Sequence, residues 1–421
     1  MGNVMGVTSK ESEERKNEIF RRVRKRLYLY VVSSSLSSGL SGPFLGVYAA
    51  RLGASPVELG LFHSLLNLSA NVMQVFWGYI ADKIGRYKLI VFAFSLAAAL
   101  LWAPVIASKT ATEYIAFVSL QALVASASGP AWTALLGLVL PHSAMGASLA
   151  RLSQYASFGS MVSTLAAGII SLTVRNTALE FTLPFALSAV FGVVAAVSVL
   201  MVREPPLKRP SPISTGLVLR SVRANSDFVR FVALSSLYGA SMSVAWPMFT
   251  RVAGVELGFG VWELSILTVT SNLSLMVAQQ WVGSAVDRYG RRIFIVLGRT
   301  LFVVYPAVYA LVPGFWTILA TNAVMNVVSA FLTTALQAYL LDVTPEDARA
   351  TYVALYNMAL GISFSLGSLA GGFLSNFLDP VLGTWCSTRV VFALSAVLRV
   401  VTGLLHLKLK EVARREDLGS G

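Results

Sequence analysis

The sequence predicts an all-α membrane protein of twelve transmembrane helices, built as two six-helix bundles related by a pseudo-twofold. Three observations predict it. Hydrophobic residues make up 56% of the 421 and charged residues only 13%, with a mean hydropathy of +0.70, far from the habit of soluble domains. Apolar runs of about 20 residues, enough to cross roughly 30 Å of hydrocarbon as a helix, recur along the whole chain. The stretch Gly78-Tyr79-Ile80-Ala81-Asp82-Lys83-Ile84-Gly85-Arg86-Tyr87-Lys88 returns as Gly283-Ser284-Ala285-Val286-Asp287-Arg288-Tyr289-Gly290-Arg291-Arg292, 205 positions later. One membrane unit is therefore used twice.

The first set of spans is placed near 27–50, 57–80, 88–108, 114–140, 150–173 and 183–202. Span one follows a charged arm with no apolar core, so no cleavable signal is read there. Span two opens on Ser55-Pro56-Val57-Glu58, a capping box with Pro at the first helical position, which makes Glu58 a helix-start residue. It closes at the charged turn, where Gly85 is expected at positive φ and Gly78 at a close helix approach. Spans three to six are apolar runs separated by short joints. Between Arg203 and Asp227 stand Pro205, Pro206, Pro210 and Pro212 among basic residues, the composition of a partly extended linker. The second set follows near 229–251, 261–283, 293–312, 315–341, 351–376 and 389–407. Span eight opens on Gly260-Val261-Trp262-Glu263, with Glu263 as its helix-start residue, and ends at Gly283, Asp287 and Gly290. Thr344-Pro345-Glu346-Asp347 reads as the start of a short helix before span eleven, whose Gly361, Gly367, Gly371 and Gly372 give a small face for close packing. Residues 1–204 thus form an N-terminal bundle with a basic arm, 205–228 a linker, and 229–421 a C-terminal bundle with a tail.

A net charge of +13 invites a nucleic-acid partner, but the positions of the cations exclude it. The N-terminal arm (Lys10, Arg15, Lys16, Arg21, Arg22, Arg24, Lys25, Arg26), the two charged turns, the linker and the tail all fall on one side when the helix count is even. The other side shows only Arg51, Lys109, Arg175, Arg251 and Arg389. By the positive-inside rule both termini are cytoplasmic, in a multi-pass protein of the cell membrane, with the basic face available to anionic lipid. The lone Cys386 excludes an internal disulfide and a cysteine-based metal cluster. No phosphate-binding loop and no cofactor motif is present, so neither ATP hydrolysis nor another enzyme activity is expected.

The duplication reaches beyond the turn. Glu58-Leu59 matches Glu263-Leu264, Asn67-Leu68-Ser69 matches Asn272-Leu273-Ser274, Gln74 matches Gln279, and Pro43 and Pro141 match Pro247 and Pro345. With an even number of spans per half, the copies enter the membrane in the same orientation. The charged turns fit Gly-x-x-x-Asp-[Arg/Lys]-x-Gly-[Arg/Lys]-x-[Arg/Lys], and through them the chain resembles the major facilitator superfamily. That resemblance implies a gate in which Asp82 caps helix 11 and Asp287 caps helix 5, with Lys83, Arg86, Arg288 and Arg291 completing the motif. Asp342 and Arg349 resemble the family's Asp-x-x-Pro and Arg pattern, whereas Leu138 and Met145 stand opposite them in the first half.

His63, Asn67, Asn71 and Gln74 recur at spacings of four, four and three, one face of a helix, and Thr268, Asn272 and Gln279 repeat the theme. Polar groups at membrane depth need partners or a wet cavity, so the stripe is expected to face the space between the halves. The family implies that Phe44, Tyr48, Gln121, Tyr238, Trp246, Asn326 and Gln337 join it. No carboxylate falls mid-helix, and Val118 stands where proton-dependent drug exporters carry an arginine. His63 is then the candidate proton site. Arg299 is close enough to the cytoplasmic end to snorkel, while Arg399 needs a partner or polar cavity. What the resemblance implies is a monomeric transporter working by alternating access on a small organic solute, export slightly favoured over uptake. The competing class is a non-transporting sensor or scaffold on the same fold, against which the paired gate motifs speak.

Overall fold

The computed structural model describes residues 24–140, 145–174, 177–202, 204, 224–345 and 348–410. The far N-terminal arm, most of the linker, Pro141, Arg175, Glu346, Asp347 and the tail, on which some expectations above rest, lie outside the described residues. The secondary structure is helical: α1 (24–51), α2 (Pro56–Asn67 and Met73–Ile84 about a π segment, Leu68–Val72), α3 (Tyr87–Ala107), α4 (Ala111–Val139), α5 (Met145–Ser171), α6 (Thr177–Leu200), α7 (Ser226–Glu256), α8 (Val261–Tyr289), α9 (Arg291–Leu311), α10 (Phe315–Asp342), α11 (Arg349–Leu382) and α12 (Thr384–Lys408). Among the described residues nine of these are long and apolar enough to cross a membrane. The other three, α1, α2 and α5, carry serine ladders or the amide stripe that lowers their hydropathy.

The starts are built as their sequences ask. Ser55 Oγ accepts from Glu58 N and Glu58 Oε2 accepts from Ser55 N at 2.8 Å, while Glu263 Oε2 accepts from Gly260 N at 2.9 Å. Both turns of the repeated motif have their glycine at positive φ, +66° at Gly85 and +90° at Gly290, where a side chain would be strained. Gly78 has ordinary room beside Pro130, so the close approach expected there is not seen, and its counterpart Gly283 stands in open space.

The chain divides into two compact units, residues 1–45 with 73–211, and residues 46–72 with 212–421. Inside the first, α3 packs against α4 and α6, and α1 is zipped to its neighbours by small residues. Thr164 Oγ1 donates to Gly39 O at 2.8 Å and Ser188 Oγ to Ser37 O at 2.8 Å, and a Cβ on Gly39 would collide with Ser163. Inside the second, the same contacts recur. Ser368 Oγ donates to Ser243 O at 3.4 Å and Ser395 Oγ to Ser241 O at 2.8 Å, and a Cβ on Gly367 would collide with Ser243. The Gly39–Ser163 contact has thus become Ser243–Gly367, with glycine and serine exchanged across the joint. Each copy keeps one residue without a Cβ so that two backbones can meet, which is how helices associate where the solvent is as apolar as leucine.

The second unit also takes in the end of α1 and the first part of α2. A Cβ on Gly254 would crowd Ala50 and Val47, and one on Gly372 would run into the Pro56 carbonyl and Gly60. The expected small face of α11 is therefore used on two sides, Gly372 and Gly361 toward α2, Gly367 and Gly371 toward α7. At this charge-poor end, Arg251 makes a two-pronged ion pair with Asp379 (2.8 and 3.2 Å) and donates to Ser375 Oγ at 3.1 Å. Ser387 Oγ also donates to Asp379, joining α7, α11 and α12.

Candidate functional site

Membrane depth is where the polar residues of α2 must find partners, and the second unit supplies them. His63 Nε2 meets Thr250 Oγ1 of α7 at 2.9 Å. Its ring lies 6.3 Å from that of Trp246, which packs at 4.9 Å on Phe364 of α11. Phe62 is edge-on to the imidazole at 5.2 Å, and Ser365 Oγ donates to Ser64 O at 3.0 Å. One turn further along α2, Asn67 Nδ2 donates to His63 O at 2.8 Å and Asn71 Nδ2 to Asn67 O at 3.1 Å. Both amides spend one N–H on their own helix and keep a second N–H and the carbonyl oxygen to offer elsewhere. Directly after Asn67 the helix widens into the π segment Leu68–Val72, an irregularity frequent at functional positions. Trp246 opens the short helical run that follows the break in α7 at Val244–Ala245. Pro247 favours such a run start, since its missing N–H would have no partner there.

His63 and Trp246 are thus brought together, with Thr250 and Phe364 as members that sequence spacing missed, while Asn67 and Asn71 stand on the following turns of α2, all four predicted residues half-buried. Thr250 was legible only as the residue one turn after Trp246; Phe364 had no signal beyond lying between two of the α11 glycines. Tyr48, 7% exposed, and Phe44, fully buried, belong to the packed part of α1. Asn326, half-buried, donates to Asn322 O at 2.8 Å and reaches Tyr305 Oη at 3.4 Å. Gln74, Asn272, Gln279 and Gln337 are exposed, Gln121 is half-buried, and Thr268 bonds back to Leu264 O at 2.8 Å.

Tyr238 departs from the lining expected of it. Its ring is 4% exposed, its hydroxyl donates to Arg299 O at 2.8 Å, and the Arg299 guanidinium sits 4.7 Å above its face. Arg299 itself does not snorkel: it is 2% exposed, donates to Ser235 Oγ at 2.9 Å and to His406 Nε2, and lies beside Tyr356. Because His406 Nδ1 faces Thr402 O at 2.8 Å, the imidazole accepts from Arg299 as a neutral ring. Arg399, also 2% exposed, finds its partners in backbone, donating to Phe302 O at 2.8 Å, Met242 O at 2.9 Å and Ser395 Oγ at 3.2 Å.

In the gate motif, Asp82 accepts from Tyr87 Oη at 2.8 Å, and Glu204 accepts from the Tyr87 and Lys88 amides at 2.8 and 3.4 Å, capping the start of α3. Asp82, Lys83, Arg86, Asp287 and Arg288 are exposed. Arg291 pairs with Asp342 at 2.6 Å and more loosely with Asp287 at 3.7 Å. Leu138 leaves the first half without that pair.

The sequence model described as "Major Facilitator Superfamily" matches residues 27–239 and again 231–420, two consecutive matches on the two halves. An uncharacterised MFS-type transporter of Methanocaldococcus jannaschii is 21% identical over 95% of this chain and 98% of its own. The multidrug resistance protein MdtG of Proteus mirabilis is 24% identical over 79% of this chain and 84% of its own. Among solved structures, the nucleoside transporter NupG superposes with a TM-score of 0.70 at 15% identity, over 91% of this chain and 99% of that one.

Proposed function

The chain belongs to the Major Facilitator Superfamily, and from that premise we propose that it carries a small, uncharged or amphipathic organic solute through the cell membrane by alternating access. It works as a monomer, with the charged turns and both termini in the cytoplasm. The observation that carries this reading is the meeting of His63, Thr250, Trp246 and Phe364 beside the π segment of α2. A site made of neutral donors, amide oxygens and aromatic faces suits a solute with few charges, and the identity of the multidrug resistance relative favours export.

In this mechanism the aromatic pair Trp246 and Phe364 holds the apolar body of the solute while Asn67 and Asn71 offer amide oxygens to its donors. His63 exchanges its bond with Thr250 for one with the solute or a proton. The exposed carboxylates Asp82 and Asp287 act in the cytoplasmic gate, which closes behind the solute before it is released on the other side. Reconstitution in liposomes with a screen of labelled solutes, with and without a proton gradient, tests the function. For a transported solute, His63→Ala and Asn67→Ala are each expected to lower the rate about three- to tenfold, the loss of one hydrogen bond to the solute. Unchanged transport in both variants would remove the site from this pocket. Loss of gradient dependence in His63→Gln alone identifies the imidazole as the proton carrier.

A further inference from the structure

The described part of α1 begins with Arg24, Lys25 and Tyr28, and α5 carries Arg151, Gln154, Tyr155 and Phe158; together these line a cleft of about 680 Å³ within the first unit. The α5 residues follow one another at helical spacing on a single face, and Leu152, beside that face, is anchored in the core, so the face is held in place. Tyr28 and Tyr155 meet edge to face at 4.8 Å, while Tyr155 is 51% and Phe158 63% exposed. From Arg151 to Phe158 the cleft descends by about 10 Å at 1.5 Å per residue. Three cations stand at its mouth, an amide follows, and aromatic faces form its deeper part. Among the described residues no carboxylate lines it.

The duplication provides an internal control. By the correspondence that sets Gly39 against Ser243 and Ser163 against Gly367, the second half carries Phe228, Val229 and Val232 for the α1 residues, and Leu355, Met358, Ala359 and Ile362 for those of α5. All seven are apolar. The fold therefore does not require charge here, and like charges gathered on one face repel one another unless an anion neutralises them.

We propose that this cleft binds a phosphate-headed amphiphile, the phosphate held by Arg24, Lys25 and Arg151 and the apolar part laid on Tyr155 and Phe158. Guanidinium groups fit phosphate oxygens in a planar fork, and the site lies at the basic end, where juxtamembrane cations meet anionic head groups. The source is either a membrane phospholipid or a soluble alkyl phosphate, and the two share this chemistry.

Native mass spectrometry of the full chain in detergent would titrate dioctanoyl phosphatidylglycerol, dioctanoyl phosphatidylcholine and dodecyl phosphate. Phosphatidylglycerol or dodecyl phosphate is expected to bind at least about tenfold more tightly than phosphatidylcholine, the effect of the mouth cations on a net negative head. The tighter of the two names the source. Replacing Arg24, Lys25 and Arg151 together by Gln abolishes that preference, whereas replacing Arg230, Lys408 and Lys410 by Gln leaves it. Tyr155→Ala with Phe158→Ala weakens dodecyl phosphate binding without creating binding of phosphatidylcholine. Equal binding of all three probes overturns the proposal, as does equal loss in the control triple, which would reduce the effect to overall surface charge. Should the cleft triple fail to fold, Arg151→Gln alone and the ring variant decide by the same criteria.

Discussion

Arg399 illustrates how a single residue can be forced by its neighbours. Pro306 has no N–H to give to the carbonyl of residue 302, and α7 turns out of regular helix just after Met242. The guanidinium supplies both carbonyls, at 2.8 and 2.9 Å. A carbonyl end of a helix also carries partial negative charge, so two such ends compensate a cation that has no carboxylate beside it among the described residues. Arg399→Met is expected to destabilise the protein by about 2 to 4 kcal/mol, since two buried acceptors lose their donors. Pro306→Ala restores one donor and recovers about 1 kcal/mol of that loss in the Arg399→Met background, while doing little on its own. Thermal unfolding of the four proteins in one detergent checks it; purely additive effects would disprove that Arg399 stands in for the donor missing at Pro306.

At the scale of elements, the same comparison of copies separates what helices need from what this chain adds. Around Val31, Phe94, Leu152 and Val199 the first unit is an ordinary apolar core. The corresponding positions of the second are Ser235, Arg299, Tyr356 and His406, which bond to one another. Helices pack equally well either way, so the polar set is an addition to the fold rather than a condition of it. The α11 glycines are a condition. Gly372→Val would push α2 from α11 against the Pro56 backbone, and overpacking of this kind costs about 1 to 3 kcal/mol. The expected result is a lower unfolding temperature and faster labelling of a cysteine placed at position 57, against unchanged values for Gly129→Val, where a Cβ meets nothing. Ser55→Ala, by removing the side chain that accepts from Glu58 N at the start of α2, should cost about 0.5 to 2 kcal/mol by the same thermal measurement.

For the whole molecule, residues 46–72 join the second compact unit although they belong to the first sequence half. The chain crosses between units beside the 3-10 turn Gly42–Phe44 and at the end of the π segment Leu68–Val72. The helical hydrogen-bond spacing thus departs from the regular α pattern where membership changes. If the carboxylates of the charged turns hold the cytoplasmic gate, Asp82→Asn with Asp287→Asn should shift the inter-half distance distribution measured by spin labels at the basic end toward the longer population. An identical distribution would refute the gate.

Length, hydropathy and the repeated turn were enough to determine twelve helices, two copies and a family, because the bilayer dictates span length and a turn with positive φ dictates glycine. Helix starts were equally legible, since Glu58 and Glu263 act on backbone amides three residues away. Partners distant along the chain were not. Thr250 for His63, Asp379 for Arg251, His406 for Arg299 and two backbone carbonyls for Arg399 follow no spacing rule, and Tyr238 left the lining because Arg299 offered its hydroxyl a buried acceptor. Those choices were made only by the tertiary structure, for in hydrocarbon a polar group bonds whatever packing brings within reach.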